Sequence, residues 1–394
     1  YVNDTYIKNL LIEPDLDQLT TRFKIELNDV KKNHWLEIKI EFNDICLGHI
    51  KKKVFSTDEC IEISILTQED QFKVKTWSAE HPHLYDVSIK LLDNHHIVDE
   101  IASYFGIRRW QSINQGIYLN YQPVYLKMLL DQGYWEKSGL TPDGEDDLIK
   151  DIILTKEMGF NGIRKHQKIE DDRFYYFCDV LGLYVWLEMP SFYEFNEHAM
   201  SRYINEWTQI LNTHRHYPSI MTYVLFNESW GIGQVLNHPK QQQFTLSIYN
   251  LTKSFDHTRF IISNDGWEHT KSDLITIHNY LTYQQDLERA YNDIEEVLTQ
   301  NILSTDHPRL IFAEGFKYEN QPIIFSEYGG IAFENKDGWG YGKQVKTKEE
   351  FISRLSGLTQ AIKNNDHIVG YCLTQTTDVE QEVNGILSYD REIW

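Results

Sequence analysis

The N-terminal part of the chain alternates between apolar and polar side chains. This period of two is typical of a strand with one buried face. The pattern runs through residues 23–27, 35–42, 60–66 and 85–91, and turn-forming residues separate these segments. Short strands at this spacing, with no helical segment between them, predict a small antiparallel β-sandwich.

The pattern changes after about residue 110, where short apolar runs alternate with longer amphipathic stretches. The apolar runs are residues 124–130, 162–166, 184–189, 221–228, 260–264, 274–280, 323–327 and 369–375. Helices are predicted at residues 146–158, 172–181, 200–214 and 348–364. Eight strands alternating with helices predict a (β/α)₈ barrel. A doubly wound sheet is the alternative, and it is disfavoured because no glycine-rich nucleotide loop follows the first strand.

The length of 394 residues exceeds that of one ordinary domain. Together with the two patterns, it predicts a multidomain protein of β and α/β class. The expected division is a β-sandwich over residues 1–108, followed by a TIM barrel over residues 109–394.

The net charge of the chain disfavours two classes of binding partner. A net charge of −21 would repel nucleic acid and anionic membranes, so neither is expected to bind. Hydrophobic residues make up 41% of the chain, which is enough for a large core. No apolar run approaches the roughly 18 residues that a membrane-spanning helix needs.

The spacing of the cysteines indicates in which cellular compartment the protein works. Cys46, Cys60, Cys178 and Cys372 lie far apart in the sequence, with no CxxC spacing. This favours reduced, mostly buried thiols over disulfides or a zinc site, and it predicts a cytoplasmic protein. Because the chain begins at Tyr1 in the middle of a pattern, an excised fragment that has lost a signal peptide is an open alternative.

Two glutamates end two of the predicted barrel strands. Glu228 closes the run 221–228, and Glu327 closes the run 323–327. Active-site groups of a barrel come from the carboxyl ends of its strands, and a pair of carboxylates there is suited to breaking a glycosidic bond. Either glutamate alone could be a salt-bridged strand end, but the pair favours catalysis.

The other strand ends are also rich in hydrogen-bonding groups, including Gln132, Glu188 and Asp265. From these ends we select eight candidate substrate-binding residues: Asp131, Arg164, His166, Asn227, His278, Tyr280, Tyr328 and Gln375. So many donors and acceptors suit a ligand with many hydroxyl groups.

Several motifs, in order, resemble those of glycoside hydrolase family 2, which includes β-galactosidases, β-glucuronidases and β-mannosidases. The resemblance covers essentially the whole chain. It rests on residues 77–87, 105–108, 119–127, 159–166, 179–186, 215–228 and 326–330. It implies an immunoglobulin-like β-sandwich followed by a catalytic TIM barrel.

The resemblance also implies a retaining double displacement. Glu228, on the fourth strand, would be the general acid/base, and Glu327, on the seventh, would be the nucleophile. The acid must hold its proton while the nucleophile is ionised. We therefore expect the charge of Glu327 to raise the pKa of Glu228.

The family pattern suggests further roles. Asn227 would contact the sugar 2-hydroxyl group. His278 and Tyr280 occupy sixth-strand positions near the nucleophile, although His278 could equally be a core histidine. Arg164 would hold Glu327 ionised or pair with another strand-end acid, and His166 would contact the sugar.

This chain departs from the best-known members at four places, one of them Thr374-Gln375 at the end of the eighth strand, where many relatives have Trp. The Glu-x-His pair of metal-dependent β-galactosidases is missing after the third strand, where Glu188 is followed by Met and Pro, so we expect no catalytic metal and no cofactor. The Asn-x-Lys motif of β-glucuronidases is replaced by the lysine-free stretch 382–387, which weakens a glucuronidase assignment. The first strand ends in an unusual sequence at residues 128–135.

The predicted function is therefore a retaining exo-β-glycosidase acting on a small carbohydrate, with a β-galactoside as the first choice. Specificity for β-glucuronides or β-mannosides is the alternative. A non-catalytic carbohydrate-binding relative or an interaction scaffold is a further alternative, which the pair of glutamates and the polar strand ends disfavour. A homo-oligomer is possible, and the sequence does not identify the sugar.

Overall fold

A computed structural model describes residues 4–65, 74–303 and 309–392 of the protein. Its contacts divide the chain into two compact units, each treated separately below. The first unit is Tyr1–Arg109 with Arg215–Pro218, and the second is Trp110–His214 with Ser219–Trp394. The predicted domains, 1–108 and 109–394, stay a prediction, because contact-defined units need not fold independently.

The described residues of the first unit form seven strands. They are β1 (Ile7–Asp15), β2 (Thr20–Leu27), β3 (His34–Phe42), β4 (Ile45–Lys53), β5 (Asp58–Ser64), β6 (Tyr85–Asp93) and β7 (His96–Phe105). One sheet has the order β1-β2-β5 and the other β4-β3-β6-β7, with antiparallel pairing throughout.

One core joins the two sheets of this unit. Phe23 of β2 and Ile38 of β3 are fully buried and belong to the same apolar cluster, together with Ile89 of β6. Along β3 every second side chain is buried, which is the alternation that predicted the strand. The predicted β-sandwich is therefore confirmed; the predicted end of its third strand, Leu66, lies outside the described residues.

Three strands of this unit, β1, β4 and β7, were not predicted. All three are edge strands of their sheets. Few side chains of β4 and β7 are buried, so their sequences lack the regular alternation of the central strands.

Within the described ranges, the second unit contains the remaining strands and the seven helices. Its strands are β8 (Trp110–Ile113), β9 (Gly116–Leu119), β10 (Gln122–Pro123), β11 (Leu126–Asp131), β12 (Gly162–Lys165), β13 (Tyr184–Glu188), β14 (Ile220–Val224), β15 (Phe260–Ile262), β16 (Ile275–Asn279), β17 (Ile302–Leu303), β18 (Arg309–Leu310), β19 (Ile323–Gly329) and β20 (Ile368–Thr374). Its helices are α1 (Glu145–Glu157), α2 (Asp172–Leu181), α3 (Glu197–His214), α4 (Pro239–Phe255), α5 (Gln284–Tyr291), α6 (Ile294–Gln300) and α7 (Lys348–Lys363).

Eight parallel strands form one sheet in the order β15-β14-β13-β12-β11-β20-β19-β16. The first barrel strand, β11, thus pairs with both the second, β12, and the last, β20. Between β15 and β16 the ladder is replaced by local bonds, such as Asp273 N–H to the Ile261 carbonyl at 2.8 Å. The eight predicted runs all correspond to strands of this sheet, so the TIM-barrel prediction is confirmed.

The four predicted helices correspond to α1, α2, α3 and α7, with ends that differ by at most a few residues. The helix α4 was not predicted, since it begins with a proline followed by a run of polar residues that hides its buried face. All four cysteines are free, but Cys46 and Cys60 are exposed, so only Cys178 and Cys372 fit the expected burial. No helix in the described ranges is long and apolar enough to cross a membrane.

The alternation of β3 can be tested by truncating one buried side chain. Replacing the fully buried Ile38 by Ala should lower the unfolding free energy of the β-sandwich by roughly 2–5 kcal/mol, since it removes apolar contacts and leaves a cavity. Hydrogen exchange of β3 and β6 amides would measure the change. Lys39→Ala, at the neighbouring outward position, should change it by only about 0.5 kcal/mol; equal losses for the two variants would contradict the assigned facing of β3.

Candidate active site

The site is built around Arg164, a fully buried residue of β12. Its Nε donates to Glu188 Oε2 at 2.7 Å, and its Nη1 donates to Glu327 Oε1 at 2.9 Å. Its Nη2 donates to Asn227 Oδ1 at 2.7 Å, and Asp265 Oδ2 lies 2.6 Å from Nη1. Burial opposes the charge, but the carboxylates of Asp265, Glu188 and Glu327 hold the pKa of Arg164 well above its usual value.

Glu327 lies on β19 and is buried. Besides the bond from Arg164, it accepts a bond at 2.6 Å from the hydroxyl of Tyr280, which directly follows β16. The ring of Tyr280 stacks on that of Tyr341, with centroids 3.5 Å apart and planes 6° from parallel. Burial and the charge of Glu327 raise the pKa of Tyr280 well above its usual value, so the hydroxyl keeps its proton and donates it.

Glu228 does not end a strand as predicted, because β14 ends at Val224 and Glu228 lies in the turn that follows. Its φ of 51° is in the left-handed region, which costs a non-glycine residue on the order of 1 kcal/mol. Backbone bonds hold the turn: Glu228 N–H donates to the carbonyl of Asp265 at 3.0 Å, and Asp265 N–H donates to the carbonyl of Phe226 at 2.7 Å. The strained turn gives Glu228 a side chain that is 25% exposed.

His278, on β16, lies between the two glutamates. Its Nδ1 is 2.8 Å from Glu228 Oε1 and 3.5 Å from Glu327 Oε2, and its Nε2 is 3.2 Å from Asp265 Oδ2. Burial lowers its pKa, but the charges of Glu327 and Asp265 outweigh burial and raise the pKa of His278 to about 10. The ring is therefore an imidazolium cation at neutral pH, with both nitrogens facing carboxylates.

The pKa of Glu228 differs from the expectation. Burial alone would raise it, but the hydrogen bond and the positive charge of His278, with the charges of His166 and Arg164, lower the pKa of Glu228 below its usual value. The expected rise caused by Glu327 is therefore wrong for this arrangement, because a cation lies between the two carboxylates. Glu228 and Glu327 are both paired with the proton on His278.

The two glutamates and the histidine are also spaced like metal ligands. One ligand atom from each of Glu228, His278 and Glu327 lies within 4.8 Å of the others, and they form the only such group in the described part of the chain. In the structure the three side chains are held together by ion pairing, with His278 Nδ1 2.8 Å from Glu228 Oε1 and 3.5 Å from Glu327 Oε2.

His166 lies at the edge of this cluster, with 18% of its side chain exposed. Its Nδ1 is 3.3 Å from Glu188 Oε1 and 3.1 Å from Arg164 Nη2. Burial lowers the pKa of His166, but the negative charge of Glu188 outweighs it and raises the pKa above the ordinary value. His166 can therefore present a partly charged ring to a ligand.

Three predicted binding residues lie outside the cluster, and two of them, Asp131 and Tyr328, bond to other parts of the barrel. Asp131 is buried against Lys165, whose Nζ is 2.5 Å from Asp131 Oδ2 and 2.7 Å from Glu170 Oε2. Tyr328 bonds the hydroxyl of Thr359 in α7 at 2.8 Å. Successive side chains of a strand face opposite sides, so Lys165 and Tyr328 point away from the side occupied by their neighbours Arg164 and Glu327. The sequence carries this signal, because Tyr328 directly follows Glu327 in one strand.

Gln375 forms part of a second polar group. Its Oε1 accepts from Gln132 Nε2 at 2.9 Å, and its Nε2 donates to Asn384 Oδ1 at 2.8 Å. Gln132 Nε2 also donates to Glu382 Oε2 at 2.9 Å. Neither Glu382 nor Asn384 was selected from the sequence, since both lie in the loop after β20 and not at a strand end.

Of the ten predicted site residues, the structure brings together Glu228, Glu327, Arg164, Asn227, His278, Tyr280 and His166. Sequence reasoning did not select Glu188 and Asp265, although both were noted at strand ends. In the sequence, both are acids at the end of an apolar run. A carboxylate buried at such a place needs a cation to neutralise it, and this requirement could have identified both residues.

Two family models match the chain. The one described as "Glycosyl hydrolases family 2" matches residues 5–108, and the one described as "Glycosyl hydrolases family 2, TIM barrel domain" matches residues 113–354. Among curated proteins, a β-galactosidase of Lactococcus lactis subsp. lactis is 27% identical over 387 residues, which cover 91% of this chain. The chain spans only 33% of that relative's length.

Two solved structures share the fold. The FMN-binding β-glucuronidase from Facaelibacterium prausnitzii L2-6 has a TM-score of 0.79 and 18% identity, covering 99% of this chain and 61% of that one. The GH2 β-galacturonidase from Eisenbergiella tayi, bound to galacturonate, has a TM-score of 0.76 and 16% identity, covering 99% of this chain and 70% of that one. At these identities the likeness extends to the fold alone.

The charged state of His278 predicts how stability depends on pH. Because its pKa is raised from 6.5 to about 10, His278 should stabilise the fold fully below about pH 6.5 and lose that contribution as pH rises to about 10. His278→Asn has no titrating ring, so the difference in unfolding free energy between wild type and this variant should shrink over that range. Chemical denaturation at several pH values would measure the difference.

The exposed His257 offers a matched control, since its substitution by Asn removes a ring that is not buried among carboxylates. The difference in unfolding free energy between wild type and His257→Asn should not fall between pH 6.5 and 10. A constant difference for His278→Asn as well would contradict the imidazolium assignment.

Proposed function

Since the chain belongs to glycosyl hydrolases family 2, we propose that it is a retaining exo-β-glycosidase, with Glu327 as nucleophile and Glu228 as general acid/base. The observation that carries the proposal is the spacing of these two carboxylates, which have oxygens within 4.8 Å of each other. Retaining enzymes place their carboxyl groups roughly 5–5.5 Å apart, whereas inverting enzymes need about 6.5–9.5 Å to admit a water.

In the first step, a Glu327 oxygen forms a bond to the anomeric carbon as the glycosidic C–O bond breaks. Arg164 and Tyr280, which both donate to Glu327, orient it for attack. The leaving oxygen takes a proton from Glu228. In the resting enzyme this proton lies on His278, whose Nδ1 is 2.8 Å from Glu228 Oε1, and its transfer produces the acid while Glu327 stays an anion.

In the second step, Glu228 is again a carboxylate and accepts a proton from water. The water oxygen forms a bond to the anomeric carbon, and the bond from that carbon to Glu327 breaks. Glu228 then returns its proton to His278, which restores the starting state. Asn227, oriented by its bond to Arg164, contacts the sugar 2-hydroxyl group throughout.

We propose a β-galactoside as the first substrate to test, in line with the name of the Lactococcus relative. A β-glucuronide is the second candidate, because one of the similar structures is described as a β-glucuronidase. The proposal requires no cofactor. Cytoplasmic location and a homo-oligomeric state stay predictions.

The nucleophile can be identified by trapping. Aryl 2-deoxy-2-fluoro-β-glycosides with good leaving groups should leave a fluorosugar on Glu327, because fluorine slows the second step more than the first. Peptide mass spectrometry of a galacto, gluco, manno and glucurono panel would locate the adduct and identify the sugar. If no adduct and no turnover of matched aryl β-glycosides are found, this chain is not a glycosidase but a carbohydrate-binding relative or a scaffold.

The two glutamates should differ in their kinetics. Glu228→Ala should lower kcat by about 10²–10⁴-fold for a poor leaving group, much less for dinitrophenolate, and azide should restore turnover. Glu327→Ala should lose activity on both substrates. Glu197→Ala, which removes a glutamate that is 89% exposed, serves as the control and should behave as wild type. The roles would be reversed if azide rescued Glu327→Ala with retention of configuration.

A further inference from the structure

The turn that carries Glu228 contains two consecutive residues in the left-handed region. Glu228 has a φ of 51°, and the next residue, Ser229, has a φ of 61°. Neither residue is glycine, so each keeps this conformation only where the surrounding contacts impose it. The contacts that hold Ser229 therefore also determine where the side chain of Glu228 points.

Two side chains from the segment after β15 hold Ser229. Asn264 Oδ1 accepts from the Ser229 N–H at 2.9 Å, and Asn264 Nδ2 donates to Ser229 Oγ at 3.0 Å. The Ser229 hydroxyl in turn donates to Glu268 Oε2 at 2.5 Å. All three residues are buried, so water does not readily replace a bond that is lost, and the partner left behind stays unpaired.

Glu268 is itself anchored by backbone and side chain. Its N–H donates to the carbonyl of Leu310 at 2.8 Å, and its Oε1 lies 3.5 Å from Arg309 Nη1. The other oxygen, Oε2, is the one that receives the Ser229 hydroxyl. A carboxylate fixed in this way holds the serine in one orientation.

The same segment also contacts His278. We call residues 264–268 the β15 loop. Asp265 Oδ2 is 3.2 Å from His278 Nε2, and the ring of Trp267 packs edge-on against the imidazole, with centroids 5.6 Å apart. At Gly266 there is no room for a side chain, because a Cβ atom would lie 2.6 Å from His278 Nδ1. The β15 loop therefore fixes the position of the imidazole.

Both partners in the proposed proton transfer are thus held by one loop. The β15 loop contacts His278 directly and reaches the turn of Glu228 through the bond between Ser229 and Glu268. Proton transfer needs a heavy-atom separation of roughly 2.6–3.2 Å. The observed separation is 2.8 Å between His278 Nδ1 and Glu228 Oε1, so a small movement of the turn would interrupt the transfer.

We propose that Glu268 is a positioning residue, which acts through Ser229 to keep Glu228 within proton-transfer distance of His278. Glu268 itself touches neither the proton nor the sugar. The inference rests on the proposed function for the role of Glu228 as acid and base.

The test compares substrates that differ in their need for an acid, as phenyl and dinitrophenyl β-glycosides across the same panel of sugars. Glu268→Ala should lower kcat/KM for the phenyl glycoside by about 10- to 100-fold, because a displaced acid protonates the leaving oxygen poorly. The value for the dinitrophenyl glycoside should change by less than about threefold, since dinitrophenolate departs without a proton. Glu268→Gln should stay close to wild type on both, because its amide oxygen accepts the Ser229 hydroxyl.

Ser229→Ala provides a second route to the same result. It removes the same bond, so it should reproduce the effect of Glu268→Ala and serves in its place if that variant does not fold. The variant with both changes should be no worse than either alone. Equal losses on the two substrates, or a loss that Glu268→Gln fails to restore, would overturn the inference.

Tyr249→Phe is a matched control. It also removes a bond from a hydroxyl to a carboxylate, at 2.6 Å to Asp273, which precedes β16 at the opposite end of that strand from His278. Lower stability is expected, but the ratio of the two kcat/KM values should stay that of wild type. A change of this ratio like that in Glu268→Ala would show that any lost buried bond has the same effect, and the inference would fall.

Magnetic resonance of isotope-labelled histidine tests the positioning without turnover. The Nδ1–H signal of His278, identified by its absence from His278→Asn, reports the contact with Glu228. It should shift in Glu268→Ala and return in Glu268→Gln, whereas Tyr249→Phe should leave it in place. An unchanged signal in Glu268→Ala would overturn the inference whatever the kinetics.

The two measurements separate the inference from the proposed function. If wild type hydrolyses no β-glycoside but the His278 signal shifts as expected, the glycosidase is contradicted and the positioning of the pair by Glu268 stands. If wild type hydrolyses a glycoside and Glu268→Ala changes neither the signal nor the ratio, the glycosidase stands and the inference is wrong. Absence of both hydrolysis and shift would contradict both.

Discussion

The buried guanidinium of Arg164 constrains the whole barrel. A cation without access to water is tolerated only when nearly every donor is paired, and removing one partner of such an ion pair typically costs about 3–5 kcal/mol. The partners of Arg164 come from the end of β13, the turns after β14 and β15, and β19. The barrel therefore cannot fold correctly without bringing these site residues together. As a result, the carboxylates are in place before any ligand arrives.

His278 completes this arrangement from the other side. Two carboxylates whose oxygens lie within 4.8 Å would repel each other strongly in a dry site, so the imidazolium between them stabilises the resting state. The same contact lowers the pKa of Glu228, which opposes its proposed role as an acid. A stable empty site needs the proton on His278, whereas the proposed reaction needs it on Glu228. The 2.8 Å distance between His278 Nδ1 and Glu228 Oε1 allows the proton to move without rearrangement of the backbone.

The sequence predicted the fold better than the site, for physical reasons. Barrel strands are buried on both faces and appear as apolar runs, whereas edge strands such as β4 carry no such signal. Glu327 and Arg164 were recognised because charge at a strand end needs a partner. Asp131 lies apart from the cluster because its partner, Lys165, lies on the far side of β12. Glu382 was missed because its bond to Gln132 joins residues 250 positions apart, which no local pattern reveals.

The strand β12 explains why these two charge networks do not mix. It carries two adjacent cations, and both are almost completely buried: Arg164 faces Glu188, Asp265 and Glu327, and Lys165 faces Asp131 and Glu170. A slip of one residue would exchange the two faces and leave a guanidinium where an ammonium ion has its partners. Arg bonds several planar groups at fixed angles, whereas Lys behaves as a compact point charge, so the exchanged networks could not be satisfied. The two charges therefore specify the register of β12, and with it the position of Arg164 beside Glu327.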